Sequence, residues 1–207
     1  MIHGYHVIIV AHGAWLPNDP RGSWSDMVRK WELVRFGPST KSLERRALAQ
    51  LTEPELRDRE AAQRALQYPP VQFSGLQASA IGCGFADACQ RSGYNIWACS
   101  IRPDHTHLVI ARHRYKVEQI ANLLKGAATR QLVSEHLHPL PQYAAAGKRP
   151  PRMWAEHEWK VYLDSEEAIE AAIQYVHDNP IQEGKPAQHW PFVTPFTGLD
   201  KGWMTYH

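Results

Sequence analysis

The alternation of apolar and polar residues predicts a small unit that mixes strands and helices. Tyr5–Ala11 is rich in β-branched residues and is typical of a buried strand. After a long insertion, the pattern predicts a helix, two strands joined by a tight turn, a second helix and a further strand. These elements are predicted over Gly75–Arg91, Tyr94–Ile101, His105–Ala111, Lys116–Ser134 and Glu158–Leu163. The order βαββαβ is that of a ferredoxin-like α+β fold, with helices on one face of a central antiparallel sheet.

A tyrosine-bearing helix is predicted after this unit, over Asp164–Asn179. Asp164 is its predicted N-cap, Glu167 completes a capping box, and Pro180 is predicted to end it. The insertion after the first strand spans about residues 23–70, and the Glu, Arg, Ala and Leu content of its second half predicts helices. We therefore expect a single domain over residues 1–207 with a helical insertion.

The composition indicates a globular protein and sets few limits on its partners. Hydrophobic residues make up 43% of the 207 residues and charged residues 21%. No apolar run approaches the roughly 20 residues of a membrane-spanning helix, and the N-terminus does not resemble a secretory signal. Three cysteines without CxxC spacing fit reduced thiols in a cytoplasm. A net charge of +2 permits a nucleic-acid partner without arguing for one.

Two histidines on one predicted strand are the sharpest chemical pattern. Because side chains alternate along a strand, His105 and His107 share one face, whereas Thr106 and the apolar residues after it share the other. The apolar set is expected to pack against the helices, which leaves both imidazoles on the open face, near enough to bind one ion. The same pattern is also typical of surface or hydrogen-bonded histidines.

Tyr175 and Asn179 are neighbours on the surface of the last predicted helix, four residues apart. The apolar stripe of that helix places both along one of its edges, and His177 along the other. Tyr175 can therefore reach the sheet face, although a tyrosine at a helix edge is usually a packing residue. The amide oxygen of Asn179 makes it a candidate third metal ligand, of the type that magnesium accepts.

Two of these segments resemble motifs of the HUH single-tyrosine transposases. Arg102–Val109 (RPDHTHLV) resembles the MPNHVHLL motif of that superfamily. Tyr175–Gly184 (YVHDNPIQEG) resembles the YIxxNPVxxG motif of its REP-associated tyrosine transposase (RAYT) branch. Both motifs contain the residues already singled out by strand and helix geometry.

Two further segments extend the resemblance in the same order along the chain. Trp190–Phe192 (WPF) resembles the start of a WPFSS element, and Gly13–Gly22 (GAWLPNDPRG) is similar to the GTWLPGDPRG of one transposase-like subgroup. The resemblance covers about residues 5–21 and 72–192. The chain departs from the motifs with Ala14 in place of threonine and Thr106 in place of a bulky hydrophobic residue.

The resemblance implies a metal-dependent endonuclease and strand transferase, that is, a transposase, acting on single-stranded or hairpin DNA. It implies that His105, His107 and Asn179 hold Mg²⁺ or Mn²⁺. Tyr175 matches the nucleophile, which forms a 5′-phosphotyrosine intermediate at hairpin-associated sites. It also implies activity on the nucleoid in a bacterial cytoplasm, without a membrane partner, by a monomer or a homodimer.

Seven residues are candidate DNA contacts. Cations can pair with phosphates and a tryptophan can stack on a base, although each is equally typical of a solvated cation or a core aromatic residue. The candidates are Gly13, Trp15, Arg21, Lys125, Arg130, Arg149 and Arg152.

Three other functions remain open on the sequence. One is a domesticated DNA-hairpin-binding protein that does not transpose. Another is an unrelated zinc-dependent hydrolase, in which His136, His138 or His177 joins the histidine pair. The third is a ferredoxin-like RNA-binding module with Trp97 as its exposed central aromatic residue.

Overall fold

The computed structural model describes residues 1–21, 31–40 and 48–199. Parts of the predicted insertion, residues 22–30 and 41–47, therefore lie outside the described residues. The chain divides into two compact units. The first, the sheet unit, comprises Met1–Ile9, Phe73–His138 and His157–His207. The second, the insertion unit, comprises Val10–Gln72 and Pro139–Glu156.

The central sheet has four strands in the order β2-β3-β1-β4, numbered along the chain. They are β1 (Gly4–Val10), β2 (Ile96–Ile101), β3 (His105–Ala111) and β4 (Trp159–Leu163). The helices are α1 (Trp31–Val34), α2 (Glu53–Arg64), α3 (Gly75–Ser92), α4 (Val117–Ser134) and α5 (Glu166–Gln182). β1 runs antiparallel to β4, and β2 antiparallel to β3. With α3 and α4 as its helices, the unit has the βαββαβ order of a ferredoxin-like α+β fold, as predicted.

α3 and α4 pack against each other with unusually little space between their backbones. At Gly84, an added Cβ would lie 2.7 Å from the Cα of Ala128, closer than real Cβ atoms come to other heavy atoms. α3 starts at a capping box, in which Ser74 accepts a hydrogen bond from the backbone N–H of Gln77. The Gln77 side chain accepts one in return from the backbone N–H of Ser74.

α5 packs on the strands through one apolar cluster. Ile169, Ala172 and Val176 of the helix contact a second set of buried side chains from the sheet. That set consists of Trp97, Ala98, Val109 and Leu163. The cluster fixes which face of α5 is turned toward the strands and therefore where its polar edge lies.

Both predicted ends of α5 were wrong. The N-cap is Ser165 and not Asp164, since the Ser165 hydroxyl accepts a hydrogen bond from the backbone N–H of Ala168. The helix also continues through Pro180 to Gln182. Pro180 has no backbone N–H to donate to the carbonyl of Val176, so the last turn forms with one helical hydrogen bond fewer. The chain leaves the helix at Gly184, which has φ 69°.

The insertion unit has a small core of its own. Leu16, Leu33, Ala62 and Leu66 form a buried cluster with Phe36 packed against it. α2 confirms the helical character of the insertion over its described part. Its capping box joins Thr52 and Glu55. In the described portion of the chain, no helix has the length and apolar character needed to cross a membrane.

Candidate active site

The histidine pair at the start of β3 is the centre of the site. His105 and His107 point the same way, as strand alternation predicts, and their Nε2 atoms lie 2.9 Å apart. His107 is buried, and the His105 side chain is about one-fifth exposed. Two ring nitrogens at this spacing, at the edge of solvent, can act on a common ligand.

Each imidazole of the pair is held by a second group through its Nδ1 atom. The Nδ1 of His105 lies 2.7 Å from the Asp104 carboxylate, and the Nδ1 of His107 lies 3.0 Å from the Nε2 of His6. Burial lowers the pKa of His6 to about 4, so this ring is neutral at pH 7 and its Nε2 can accept a hydrogen bond. A proton on both Nδ1 atoms leaves one lone pair on each of the two facing Nε2 atoms, and the lone pair of His107 also faces the Nδ2 of Asn179 at 3.1 Å.

Tyr175 lies beside this pair on α5. Its ring centroid is 5.5 Å from that of His107 and 5.6 Å from that of His6, with both pairs in edge-on arrangements. The side chain is nevertheless 48% exposed. The structure therefore brings the predicted nucleophile and the predicted metal ligands together, with the tyrosine open to a substrate.

Asn179 reaches the same place one helical turn later, but its amide nitrogen, and not the oxygen predicted to bind a metal, faces the histidine pair. Its Nδ2 lies 3.1 Å from the Nε2 of His107, and its Oδ1 accepts a hydrogen bond of 2.6 Å from Arg102. Arg102, almost fully buried, also forms an ion pair with Glu183. Burial lowers the pKa of Arg102, and the nearby acidic groups of Asp104 and Tyr175 raise it in turn.

The donor set fits a small divalent ion. Ligand distances of about 2.1 Å in an octahedral shell put neighbouring ligand atoms about 3 Å apart. The two Nε2 atoms and the nearest amide atom of Asn179 are separated by 2.9 and 3.1 Å. Ligation by the Asn179 oxygen requires the amide to turn over, which changes the partner that it offers to Arg102.

Histidine, cysteine and acidic side chains alone do not form such a site. Among the described residues, no group of three or more of them could hold a metal ion. His6 contacts His107 through the opposite ring nitrogen, so it does not face the same point as the pair. This arrangement disfavours the zinc hydrolase with a third histidine ligand.

The RNA-binding alternative fails on the position of Trp97. The residue is buried beneath α5 and packs edge-on against Phe196, with ring centroids 4.8 Å apart. It therefore offers no exposed surface for stacking on a base.

The candidate DNA contacts of the sheet unit differ in availability. Arg130 is exposed on α4. Lys125, on the same helix, is buried and its Nζ lies 3.1 Å from the Glu158 carboxylate. Because Lys125 already has an intramolecular partner, its ammonium is less available to a phosphate than the guanidinium of Arg130.

The insertion unit contains the other five candidates. Arg149 and Arg152 are exposed. Arg21 is buried, is paired with Asp19 at 2.8 Å and lies over the ring of Trp15, so it too is already engaged. Gly13 has φ +73° and no room for a Cβ, which accounts for the glycine without a DNA contact.

Three polar residues of the site were missed from the sequence: His6, Asp104 and Arg102. His6 lies on β1 and meets His107 only because β1 and β3 are neighbours in the sheet. The signal available in the sequence was the alternation of side chains along YHVIIVA, which places His6 and Val7 on opposite faces of the strand. Asp104 and Arg102 belong to the motif next to the histidines, where Asp104 was assigned only to a tight turn and Arg102 was assigned no role.

Two solved structures have some similarity to this chain. A structure of a REP-associated tyrosine transposase bound to a REP hairpin is similar over 92% of this chain and 74% of its own, with 11% identity and a TM-score of 0.45. A candidate transposase from Deinococcus radiodurans is similar over 90% of this chain and 94% of its own, with 14% identity and a TM-score of 0.39. No curated protein matches the chain.

The family follows from the sequence profile of the IS200-like transposases, which matches residues 74–179. The match covers just over half of the chain and includes His105, His107, Tyr175 and Asn179. The protein is a DNA-processing protein of the transposase type. The chain belongs to the IS200-like transposase family, which confirms the expectation from the motifs, and this family generally needs a divalent metal.

Proposed function

We propose that the protein cleaves and rejoins single-stranded DNA through a covalent bond to Tyr175. The observation that carries the proposal is the position of this half-exposed tyrosine beside the paired Nε2 atoms of His105 and His107. A nucleophile accessible to solvent and next to a donor set for a divalent ion is the arrangement that attack on a phosphodiester needs.

Two histidines and an amide would hold the ion, which we propose to be Mg²⁺ or Mn²⁺. His105 and His107 supply nitrogen ligands, and Asn179 supplies its oxygen once the amide has turned. When bound, the ion neutralises charge on the phosphate and polarises its phosphorus. Asp104 and His6 keep the two rings oriented through their Nδ1 atoms.

The covalent step exchanges one ester for another. The Tyr175 oxygen bonds to phosphorus, the bond from phosphorus to the 3′-oxygen breaks, and the proton lost by the phenol balances the one gained by the leaving oxygen. The products are a 5′-phosphotyrosine and a free 3′-hydroxyl. A second 3′-hydroxyl then displaces the tyrosine, so the phosphate stays activated and rejoining needs no ATP.

The substrate we propose is single-stranded DNA next to a hairpin, on the nucleoid of a bacterial cytoplasm. The similarity to REP-associated relatives in the motif around Tyr175 favours a hairpin-associated site. Arg130, Arg149 and Arg152 are exposed cations that can contact phosphates, and such binding weakens as salt rises.

The test is a denaturing gel of single-stranded hairpin DNA incubated with the protein and Mn²⁺. A strand labelled at its 3′ end should become attached to the protein, and a strand labelled at its 5′ end should yield only a shorter free product. Tyr175→Phe should bind the DNA and form no adduct. Tyr162→Phe, which alters a similarly exposed tyrosine on β4, is the control and should react normally.

Three results would contradict the proposal. An adduct on the 5′-labelled strand would reverse the chemistry, and an adduct with the Tyr175 variant would remove the nucleophile. Tight hairpin binding with no adduct from the unaltered protein would favour the domesticated DNA-binding alternative.

A further inference from the structure

Arg102 connects the end of β2 to the face of α5 that carries the tyrosine. Its side chain is only 2% exposed. One terminal nitrogen donates a 2.6 Å hydrogen bond to the Asn179 oxygen, and the other forms an ion pair with Glu183. Tyr175 and Asn179 lie four residues apart on the same side of α5, and Glu183, four residues further on, is the C-cap residue of the helix.

Two contacts on successive turns constrain a helix more than one contact does. A single hydrogen bond leaves the helix free to rotate about that point. The guanidinium is planar, and its two terminal nitrogens donate in fixed directions. Its contacts with Asn179 and Glu183 therefore restrict the rotation and the sliding of α5 that the apolar cluster still allows.

The placement of Tyr175 depends on this register. A shift of one residue rotates a helix by about 100° and moves it by about 1.5 Å. Either change would take the tyrosine ring away from His6 and His107, whose ring centroids it now approaches to 5.6 and 5.5 Å. The apolar cluster under α5 holds the helix on the sheet, but apolar contacts are less directional than this pair of polar ones.

Two further observations point to an orienting role. Within the described residues, the buried Nε of Arg102 has no hydrogen-bond partner. The side chain therefore makes its contacts with Asn179 and Glu183 while another of its donors stays unpaired. Arg102 also stands where the MPNHVHLL motif has methionine, which has no donor at all. The two-point connection is therefore a property of this chain and not of the motif.

We propose that Arg102 is a positioning residue, which sets the register of α5 and thereby aims Tyr175 at the phosphate. Before the ion binds, it acts through Asn179 and Glu183. Once Asn179 turns its oxygen to the ion, the ion pair with Glu183 keeps α5 in register, and Arg102 need not touch the DNA. The kinetic part of this inference rests on the proposed function, because it needs a reaction at Tyr175.

The kinetic experiment compares Arg102→Met, Arg102→Lys, Glu183→Gln and Lys185→Met. Lys185 is the matched control, because it pairs with the same Glu183 carboxylate at 3.3 Å but is exposed. In single-turnover reactions with saturating oligonucleotide and Mn²⁺, Arg102→Met should slow adduct formation about 10- to 100-fold. Arg102→Lys keeps the charge but not the planar fork, so it should be intermediate, and Lys185→Met should react at the normal rate.

Binding separates positioning from contact with DNA. Measured in the Tyr175→Phe background, Arg102→Met should leave the dissociation constant of the oligonucleotide nearly unchanged. An unchanged rate, or a loss of rate matched by an equal loss of affinity, would overturn the proposal. If Arg102→Met does not fold, Glu183→Gln decides: it should react more slowly than Lys185→Met, and equal rates would overturn the proposal.

A second readout needs neither DNA nor metal. In protein labelled with 3-fluorotyrosine, the ¹⁹F resonance of residue 175 can be assigned by its absence in Tyr175→Phe. The neighbouring histidine rings should shift it, and it should move toward the unfolded-chain position in Arg102→Met but not in Lys185→Met. An unmoved resonance in Arg102→Met overturns the positioning role, whether or not the wild-type protein forms an adduct. Failure of the wild-type protein to form an adduct refutes the proposed function instead.

Discussion

Lys125 can be tested as a structural residue and as a DNA contact in one set of variants. Its ammonium lies 3.1 Å from the Glu158 carboxylate, with side chains 9% and 7% exposed. Coulomb's law gives about 5 kcal/mol for unit charges at this distance with an effective dielectric constant of about 20, and desolvation of both ions offsets much of it. Removing one partner leaves the other charge buried, which costs about 3–5 kcal/mol.

The expected changes follow because removing one partner of the ion pair destabilises the protein more than removing both. Lys125→Met and Glu158→Leu should each lower the free energy of unfolding by about 3–5 kcal/mol, which for a chain of this size lowers Tm by about 6–20 °C. The double variant Lys125→Met/Glu158→Leu leaves no unpaired charge and should recover most of this loss. Denaturant titration followed by tryptophan fluorescence measures all three, and the interaction energy comes from the cycle.

Arg130→Met is the matched control, because Arg130 is exposed on the same helix. It should leave the unfolding free energy within about 0.5 kcal/mol of wild type. Below their melting temperatures, the Lys125 variants should bind single-stranded DNA with unchanged salt dependence. If Lys125→Met keeps its stability but weakens DNA binding and reduces the salt slope, then Lys125 contacts phosphate and the interpretation as a structural ion pair is wrong.

Two further predictions concern packing and pH. Gly84→Ala should lower the free energy of unfolding by about 1–3 kcal/mol, because the new methyl group meets the backbone of Ala128. Gly75→Ala on the same helix, where a Cβ meets nothing within 4 Å, should be nearly neutral in thermal unfolding, and equal effects would refute the packing argument. Burial lowers the pKa of His138 below its ordinary 6.5, so the unfolded chain binds a proton that the native chain does not as pH falls below 6.5. The urea midpoint should therefore drop between pH 7.5 and pH 5, and the drop should be smaller in His138→Gln; equal drops would argue against this residue.

Local patterns were sufficient to predict the elements and part of the site. The bounds of β3 agree with the prediction residue for residue, and alternation along it placed His105 and His107 on one face. The spacing of Tyr175 and Asn179 put both on the edge of α5 that meets the histidine pair. These inferences needed only the periods of a strand and a helix, which depend on the backbone and not on distant residues.

The contacts that were not foreseen join residues that are far apart in the sequence. His6 was missed because its contact with His107 spans 101 residues and depends on strand order. Lys125 was predicted as a DNA contact, and its ion pair was not foreseen because the partner, Glu158, follows 33 residues later. Asn179 was expected to offer its oxygen to a metal, but a periodicity argument gives no orientation for an amide, and here Arg102 accounts for it.

The site consists of residues from three elements that are far apart in the sequence and are therefore synthesised at different times. His6 lies in the first strand, the histidine pair lies near the middle of the chain, and the helix with Tyr175 follows only after β4. The contacts that join them span 101 and 72 residues. Contacts of such long range slow folding, because closing the intervening chain costs conformational entropy before the contact is gained. A nascent or half-folded chain can therefore expose its histidines without Tyr175 beside them, so the proposed cleavage of DNA requires the completed fold.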